Sequence, residues 1–150
     1  MEHDIPWLSE SQQQLWRNYL ATYRLIMNAL EEQLRLRADL SFAEYEVLVH
    51  LSEAPGGRLR MSALANAVLV SRSGLTRRVD QMVRAGYVQK DDCTEDRRGT
   101  FAQITEQGMK RLVDAAPGHV TAVRAHFVDA LTDLQQRQLA EMLDQLRDGR

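Results

Sequence analysis

Between Ser71 and Gly86 the chain reads S-R-S-G-L-T-R-R-V-D-Q-M-V-R-A-G, and this segment constrains the fold more than any other. Ser71 is a good helix N-cap, because its hydroxyl can accept from a free amide of the first turn. Leu75, Val79, Met82 and Val83 then recur at helical spacing and predict one buried face. Arg72, Ser73, Thr76, Arg77, Asp80 and Arg84 fall on the other side. Gly86 predicts a stop, since glycine takes the left-handed cap conformation at little cost. Tyr87 to Lys90 and Thr100 to Ile104 alternate apolar and polar residues across the loop D-D-C-T-E-D-R-R-G, so a β-hairpin with a basic tip follows the helix directly.

Two cationic elements so close in sequence suit duplex DNA. A major groove admits one helix, and the narrow minor groove beside it concentrates negative potential that attracts an arginine at a loop tip. The charge distribution agrees. The whole chain carries a net charge of −2, which argues against a general nucleic-acid coat. Residues 58–98, however, hold nine basic and five acidic side chains, against four and nine in residues 1–57 and six and seven in residues 99–150. Only the middle of the chain is basic, so one face would meet the phosphates and the others would turn away.

The flanking sequence predicts helices. Ser9 to Arg37 carries Leu15, Tyr19, Tyr23, Ile26, Met27, Leu30 and Leu34 at three- and four-residue steps. Ser41 and Glu44 have the spacing of a capping box and open a second helix that Pro55-Gly56-Gly57 ends. Arg58 to Met61 is too short to assign, and Ser62 to Val68 predicts a short third helix. After the hairpin, Thr105 caps a long helix whose stripe runs from Met109 to Leu131, with a bend expected at Pro117-Gly118. Thr132 and Gln135 form a second capping box before a last helix bearing Leu139, Met142, Leu143 and Leu146.

This order resembles the multiple-antibiotic-resistance regulator (MarR) family of winged-helix transcription factors over nearly the whole chain. Its most specific parts are V-S-R-S-G-L-T-R-R-V-D-Q-M-V-R-A-G-Y-V at Val70 to Val88 and D-R-R-G-T-F-A-Q-I-T-E-Q-G at Asp96 to Gly108. Ile104 stands where the family usually has leucine, and Arg60 where it more often has threonine or serine. The resemblance implies a mainly α fold with a small β-hairpin wing: a winged helix-turn-helix core at residues 41–104, with dimerisation helices at 1–40 and 105–150 in one domain. It also implies a sequence-specific regulator, a homodimeric repressor on a near-palindromic operator.

Residue by residue, the resemblance implies that Arg77 and Arg78 reach guanine edges or clamp phosphates. Ser71, Arg72, Ser73, Gly74 and Thr76 would serve the same groove near the helix N-terminus, where free amides favour a phosphate. In the wing, Asp96 would steady a guanidinium while Arg98 enters the minor groove, with Arg97 as the spare candidate. The family's small aromatic or phenolic effectors point to Trp16, Tyr23, Met27 and His50 as pocket residues.

Rival readings have few parts to work with. No nucleophile motif, paired histidine and cysteine, or glycine-rich phosphate loop suggests an enzyme or a cofactor. His119 and His126 lie seven apart, too far for one metal, and nothing joins them at ligand spacing. A redox-responsive regulator could use Cys93, the single cysteine, yet Asp91, Asp92 and Glu95 beside it disfavour the thiolate. A winged-helix protein-interaction module would not need five arginines on two adjacent elements. Met1 to Pro6 contains Glu2 and Asp4 and no basic residue, unlike an export signal, and no apolar run reaches membrane-spanning length. The expectation is a cytoplasmic protein whose partners are double-stranded DNA and a second copy of itself, because the terminal stripes exceed what one small core can cover.

Overall fold

The computed structural model describes residues 5–68, 71–92 and 99–149. Among these described residues, six α-helices and three short strands follow one another. These are α1 (Glu10–Ala38), α2 (Phe42–Glu53), β1 (Arg58–Arg60), α3 (Met61–Ala67), α4 (Arg72–Arg84), β2 (Val88–Asp92), β3 (Thr100–Ile104), α5 (Glu106–His126) and α6 (Asp133–Asp148). The fold is the expected one, mainly helical with a small antiparallel wing. Contacts divide it into two compact units, Met1–Leu30 with Val123–Arg150, and Glu31–Ala122. Helices α1 and α5 each run through the division.

Local chemistry explains most boundaries. Asp39 takes a left-handed φ of 49° and closes α1. Ser41 accepts from the Glu44 amide at 3.2 Å while the Glu44 carboxylate accepts from the Ser41 amide at 2.7 Å, completing the capping box of α2. The Thr132 box of α6 is likewise formed, with Gln135 Oε1 2.9 Å from the Thr132 amide. At the end of α4, the Tyr87 amide donates to the Met82 carbonyl and the Gly86 amide to Val83, with Gly86 at φ 82°. This paired closure satisfies two orphan carbonyls and needs the left-handed residue that glycine supplies.

The sheet has three strands in the order β1-β3-β2, not two. Arg58, Leu59 and Arg60 pair with Gln103, Ala102 and Phe101, so the segment too short to assign from sequence is the strand that completes the wing. Helix α3 begins at Met61, one residue earlier than expected, and Arg60 caps it without a side-chain bond. Helix α5 ends at His126 rather than reaching Leu131, with a short 3-10 turn at Val128–Ala130 before α6. Pro117 stays inside α5.

The Glu31–Ala122 unit contains nearly all of the core. Leu34, Leu40, Val47, Leu48, Leu51, Leu64, Leu75, Val79, Met82, Val88 and Ala102 are buried together. They come from α1, α2, α3, α4, β2 and β3, with Leu112 and Ala115 of α5 in the same cluster and Leu59 of β1 packed against it, so α4 and the sheet are fixed to one apolar mass. Val83, expected inward, is 37% exposed. Leu75, Val79 and Met82 already fill the stripe that α4 can bury, and Val83 lies to one side of it. In the other unit, Leu30 and no other described residue of α1 up to that point is buried, and α6 buries none.

Candidate nucleic-acid interface

Helix α4 presents a polar face by default, because its apolar stripe is committed to the core. Ser71 caps it, with Oγ accepting from the Gly74 amide at 3.2 Å and lying 3.4 Å from Ser73 Oγ. Ser71, Ser73, Thr76, Arg77, Gln81 and Arg84 are exposed, and Gly74 sits among them without a side chain to block approach. Arg72 belongs to the same first turn, with its side chain outside the described residues. Free amides at this end of the helix add positive potential where the hydroxyls cluster.

The two arginines at the centre of this face differ. Arg77 is exposed. Arg78, expected with Arg77 to reach DNA, is only 25% exposed and places Nη1 3.9 Å from Glu44 Oε1, the carboxylate that also closes the α2 capping box. Farther along, Asp80 is paired with Lys90 of β2, which clips the helix to the wing and removes an acidic charge from the groove-facing side. Neither contact was legible from spacing, because each joins residues at least ten apart in sequence.

The wing stands beside this face. Val88 and Ala102 point inward and are buried, so Gln89, Phe101 and Gln103 take the opposite face with Arg58 and Arg60. The Arg58 and Arg60 guanidinium carbons lie 4.1 Å and 5.1 Å from the Phe101 ring centroid. These two arginines, missed as functional candidates, are held by an aromatic platform. The i, i+2 pattern of R-L-R was the available signal. Asp96, Arg97, Arg98 and Cys93 lie outside the described residues.

The comparisons with known proteins agree with this geometry. A model of the MarR family matches residues 38–99. The crystal structure of Sco3205, a MarR family transcriptional regulator from Streptomyces coelicolor in complex with DNA, matches with a TM-score of 0.92 and 37% identity, covering 98% of this chain and 92% of that one. The chain belongs to the MarR family. AbsC, a MarR family regulator from the same organism, is similar at 38% identity and a TM-score of 0.88, over 95% of this chain and 96% of that one. The HTH-type transcriptional repressor YetL of Bacillus subtilis is 28% identical across 80% of this chain and 74% of its own length. This MarR-family chain is therefore a DNA-binding transcriptional regulator and not an enzyme. No helix among its described residues is long and apolar enough to cross a membrane.

The four residues expected to line an effector pocket fall into both units. Trp16, Tyr23 and Met27 lie on the terminal part of α1, and His50 near the end of α2. Trp16 and Tyr23 are exposed and joined by Tyr19 in a stacked ladder, with ring centroids 5.7 Å and 6.4 Å apart. A different polar cluster lies within the Glu31–Ala122 unit. His119 packs 4.3 Å from the Tyr45 ring and 6.0 Å from Phe42. Burial lowers the His119 pKa and raises that of Tyr45, so both rings are held neutral. His119 Nδ1 and Gln33 Oε1 are buried with no hydrogen-bond partner among the described residues, and Gln33 Nε2 lies 2.8 Å from where a Cβ on Gly118, next to His119, would stand.

Proposed function

We propose that this MarR-family chain is a homodimeric repressor that occludes a promoter by placing one α4 in each of two successive major grooves of a near-palindromic operator. The exposed Ser71, Ser73, Thr76 and Arg77 surface, rigidly backed by buried Leu75, Val79 and Met82, is the observation that carries this reading. Arg77 supplies the guanine or phosphate contact, and Arg78 a second one once it leaves Glu44. Asp96, Arg97 and Arg98 of the wing tip serve the adjacent minor groove. Two recognition helices about 34 Å apart would fit half-sites one helical turn apart.

The dimer reading rests on the terminal unit. Leu8, Leu15, Trp16, Tyr19, Leu20 and Tyr23 are exposed on and before α1, as are Leu134, Met142, Leu143 and Leu146 on α6. Apolar surface on this scale is rare on a monomer, and a second copy is the partner that symmetry makes cheapest to cover it. The test of the whole reading is Arg77→Ala, assayed by fluorescence anisotropy over a salt series. Loss of a base contact weakens binding by about 1–3 kcal/mol per half-site and relaxes specificity, whereas loss of a phosphate contact flattens the salt slope by about one. Wild-type affinity at every salt concentration would mean that another surface meets DNA.

The Gln33, Tyr45 and His119 cluster favours a further reading, that a small phenol or aromatic acid releases the operator. A phenolic hydroxyl donates to Gln33 Oε1 or exchanges a hydrogen bond with neutral His119, and its ring packs on Tyr45 and Phe42. Such a ligand acts only if it prefers the DNA-free dimer, and a coupling of about 1–3 kcal/mol is enough. Thermal-shift screening of simple phenols and benzoates, repeated on His119→Phe, tests it. A ligand that stabilises both proteins equally binds elsewhere.

A further inference from the structure

Arg78 stands on the flank of α4, between its buried stripe and its exposed face. One residue turns an α-helix by about 100°, so Arg78 points well away from Arg77, toward the start of α2 where Glu44 lies. Helical side chains lean back over the preceding turn, and here that turn holds Gly74, with no side chain to stand in the way. The guanidinium Nη1 is 3.9 Å from Glu44 Oε1. That separation is too long for a hydrogen bond, so charge alone joins the two groups.

Glu44 does not depend on Arg78 for its own partners. Its other oxygen accepts from the Ser41 amide at 2.7 Å and from the Ser41 hydroxyl at 2.9 Å. Arg35 of α1 feels the same carboxylate: its pKa is raised above all by its hydrogen bond with Glu31, and further by the charges of Glu31, Glu44 and Asp39. If Arg78 left, Glu44 would keep two donors and the field of a second cation. Glu44 is 18% exposed and Arg78 25%, so water screens their attraction less than it would on an open surface. The pair is close enough to hold the arginine in the free protein, and loose enough to yield it to another anion.

We propose that Glu44 competes with the operator for Arg78 and thereby sets how tightly this protein holds DNA. In the free protein the carboxylate withholds the guanidinium, and in the complex a backbone phosphate takes it over. The inference rests on the reading that α4 enters the major groove. A residue about 100° round the helix from the outward-facing Arg77 meets the wall of that groove, which is phosphate, rather than its floor of base edges. Glu44 is on this account a positioning residue that acts through Arg78. The competition also gives a reason for a carboxylate at position 44. A glutamine closes the same capping box, as Gln135 does for α6, but only a charged group holds a cation back.

The test is DNA affinity over a salt series for Glu44→Gln, Arg78→Ala, the double variant and, as a reference, Arg77→Ala, with the melting temperature of each. Glu44→Gln keeps the capping box and removes the charge, so the fold should hold. Its binding should tighten by up to about fivefold per half-site, the range of a partly exposed ion pair. The gain should appear on operator and unrelated duplex alike, because a phosphate carries no sequence. Arg78→Ala should flatten the salt slope by about 0.9 per half-site, a result that does not depend on how Glu44→Gln folds. In the Arg78→Ala background, Glu44→Gln should change affinity no further. A gain that survives there means that Glu44 repels the phosphates directly, and overturns the competition. So does a folded Glu44→Gln protein that binds no more tightly, or a gain confined to the operator, which would make Arg78 a base reader. An Arg78→Ala protein with the wild-type slope, beside an Arg77→Ala protein that binds poorly, overturns the proposal and leaves the DNA reading standing. Wild-type binding by both alanine variants sinks the DNA reading itself.

Discussion

Replacing Gly108 by alanine should damage this protein far more than its exposed-looking sequence context suggests. Gly108 lies in the first turn of α5, and a Cβ there would stand 2.1 Å from the Tyr87 carbonyl oxygen and 3.1 Å from Ile104 Cγ1. That is about 1 Å closer than real Cβ contacts allow, and the obstacle is backbone. The helix start and the wing base must separate. Doing so breaks a knot in which the Thr105 amide donates to Tyr87 O at 3.1 Å, Thr105 Oγ1 donates to Gly86 O at 2.6 Å, and the Gly108 amide donates to Thr105 Oγ1 at 3.0 Å. Overpacking costs about 1–3 kcal/mol and a strained buried hydrogen bond about 1 kcal/mol. Alanine's better helix propensity returns about 1 kcal/mol. The net is about 1–3 kcal/mol, or about 2–12 °C in melting temperature for a chain of this size. Calorimetry at fixed protein concentration reads it. Gly56→Ala is the control, since Gly56 has φ 65° but no atom within 4 Å of the added Cβ, and it should cost only the left-handed strain of about 1–2 kcal/mol. A Gly108→Ala protein that melts no lower than Gly56→Ala would refute the close-approach argument.

Two further outcomes follow from the same contacts. Because burial lowers the His119 pKa, the folded state binds fewer protons than the unfolded chain near pH 6. Its contribution is therefore complete above about pH 6.5 and is lost as pH falls toward the folded value; urea midpoints measured from pH 7.5 to 5 should decline less for His119→Phe, and parallel curves would contradict the assignment. Deleting Thr132–Arg150 removes α6 with its exposed Met142, Leu143 and Leu146, and sedimentation should then show monomer or aggregate with operator binding lost; a soluble truncated dimer with native affinity would move the interface elsewhere.

What could be read from the sequence follows the range of the interaction. Caps are decided within four residues, so Ser41 with Glu44, Ser71, Thr105, Thr132 with Gln135 and the Gly86 stop were all legible and all formed. The buried stripe of α4 was legible except at Val83, because periodicity gives the direction of a face and not its width. Strand β1 was not, since three residues cannot display a period of two, and its strand character comes from β3 across the chain. The Arg78–Glu44, Lys90–Asp80 and Arg60–Phe101 contacts are long-range in the same sense, each set by tertiary packing. Their residues were visible in sequence, but their partners were not.

Glu44 links the interface to the scaffold. One oxygen of its carboxylate accepts from the Ser41 amide and hydroxyl, and the other faces Arg78 of the recognition helix. Position 78 is thus constrained from two directions. A substitution selected there for a new operator also changes the electrostatic surroundings of a capping carboxylate that is mostly shielded from water. The evolutionary route to altered specificity through residue 78 consequently runs through fold stability, while Arg77, exposed and tied to no such carboxylate by any described ion pair, can vary with DNA alone. In a lineage of such regulators, divergence of operator preference would begin at position 77, and changes at 78 would be accompanied by compensating changes at position 44.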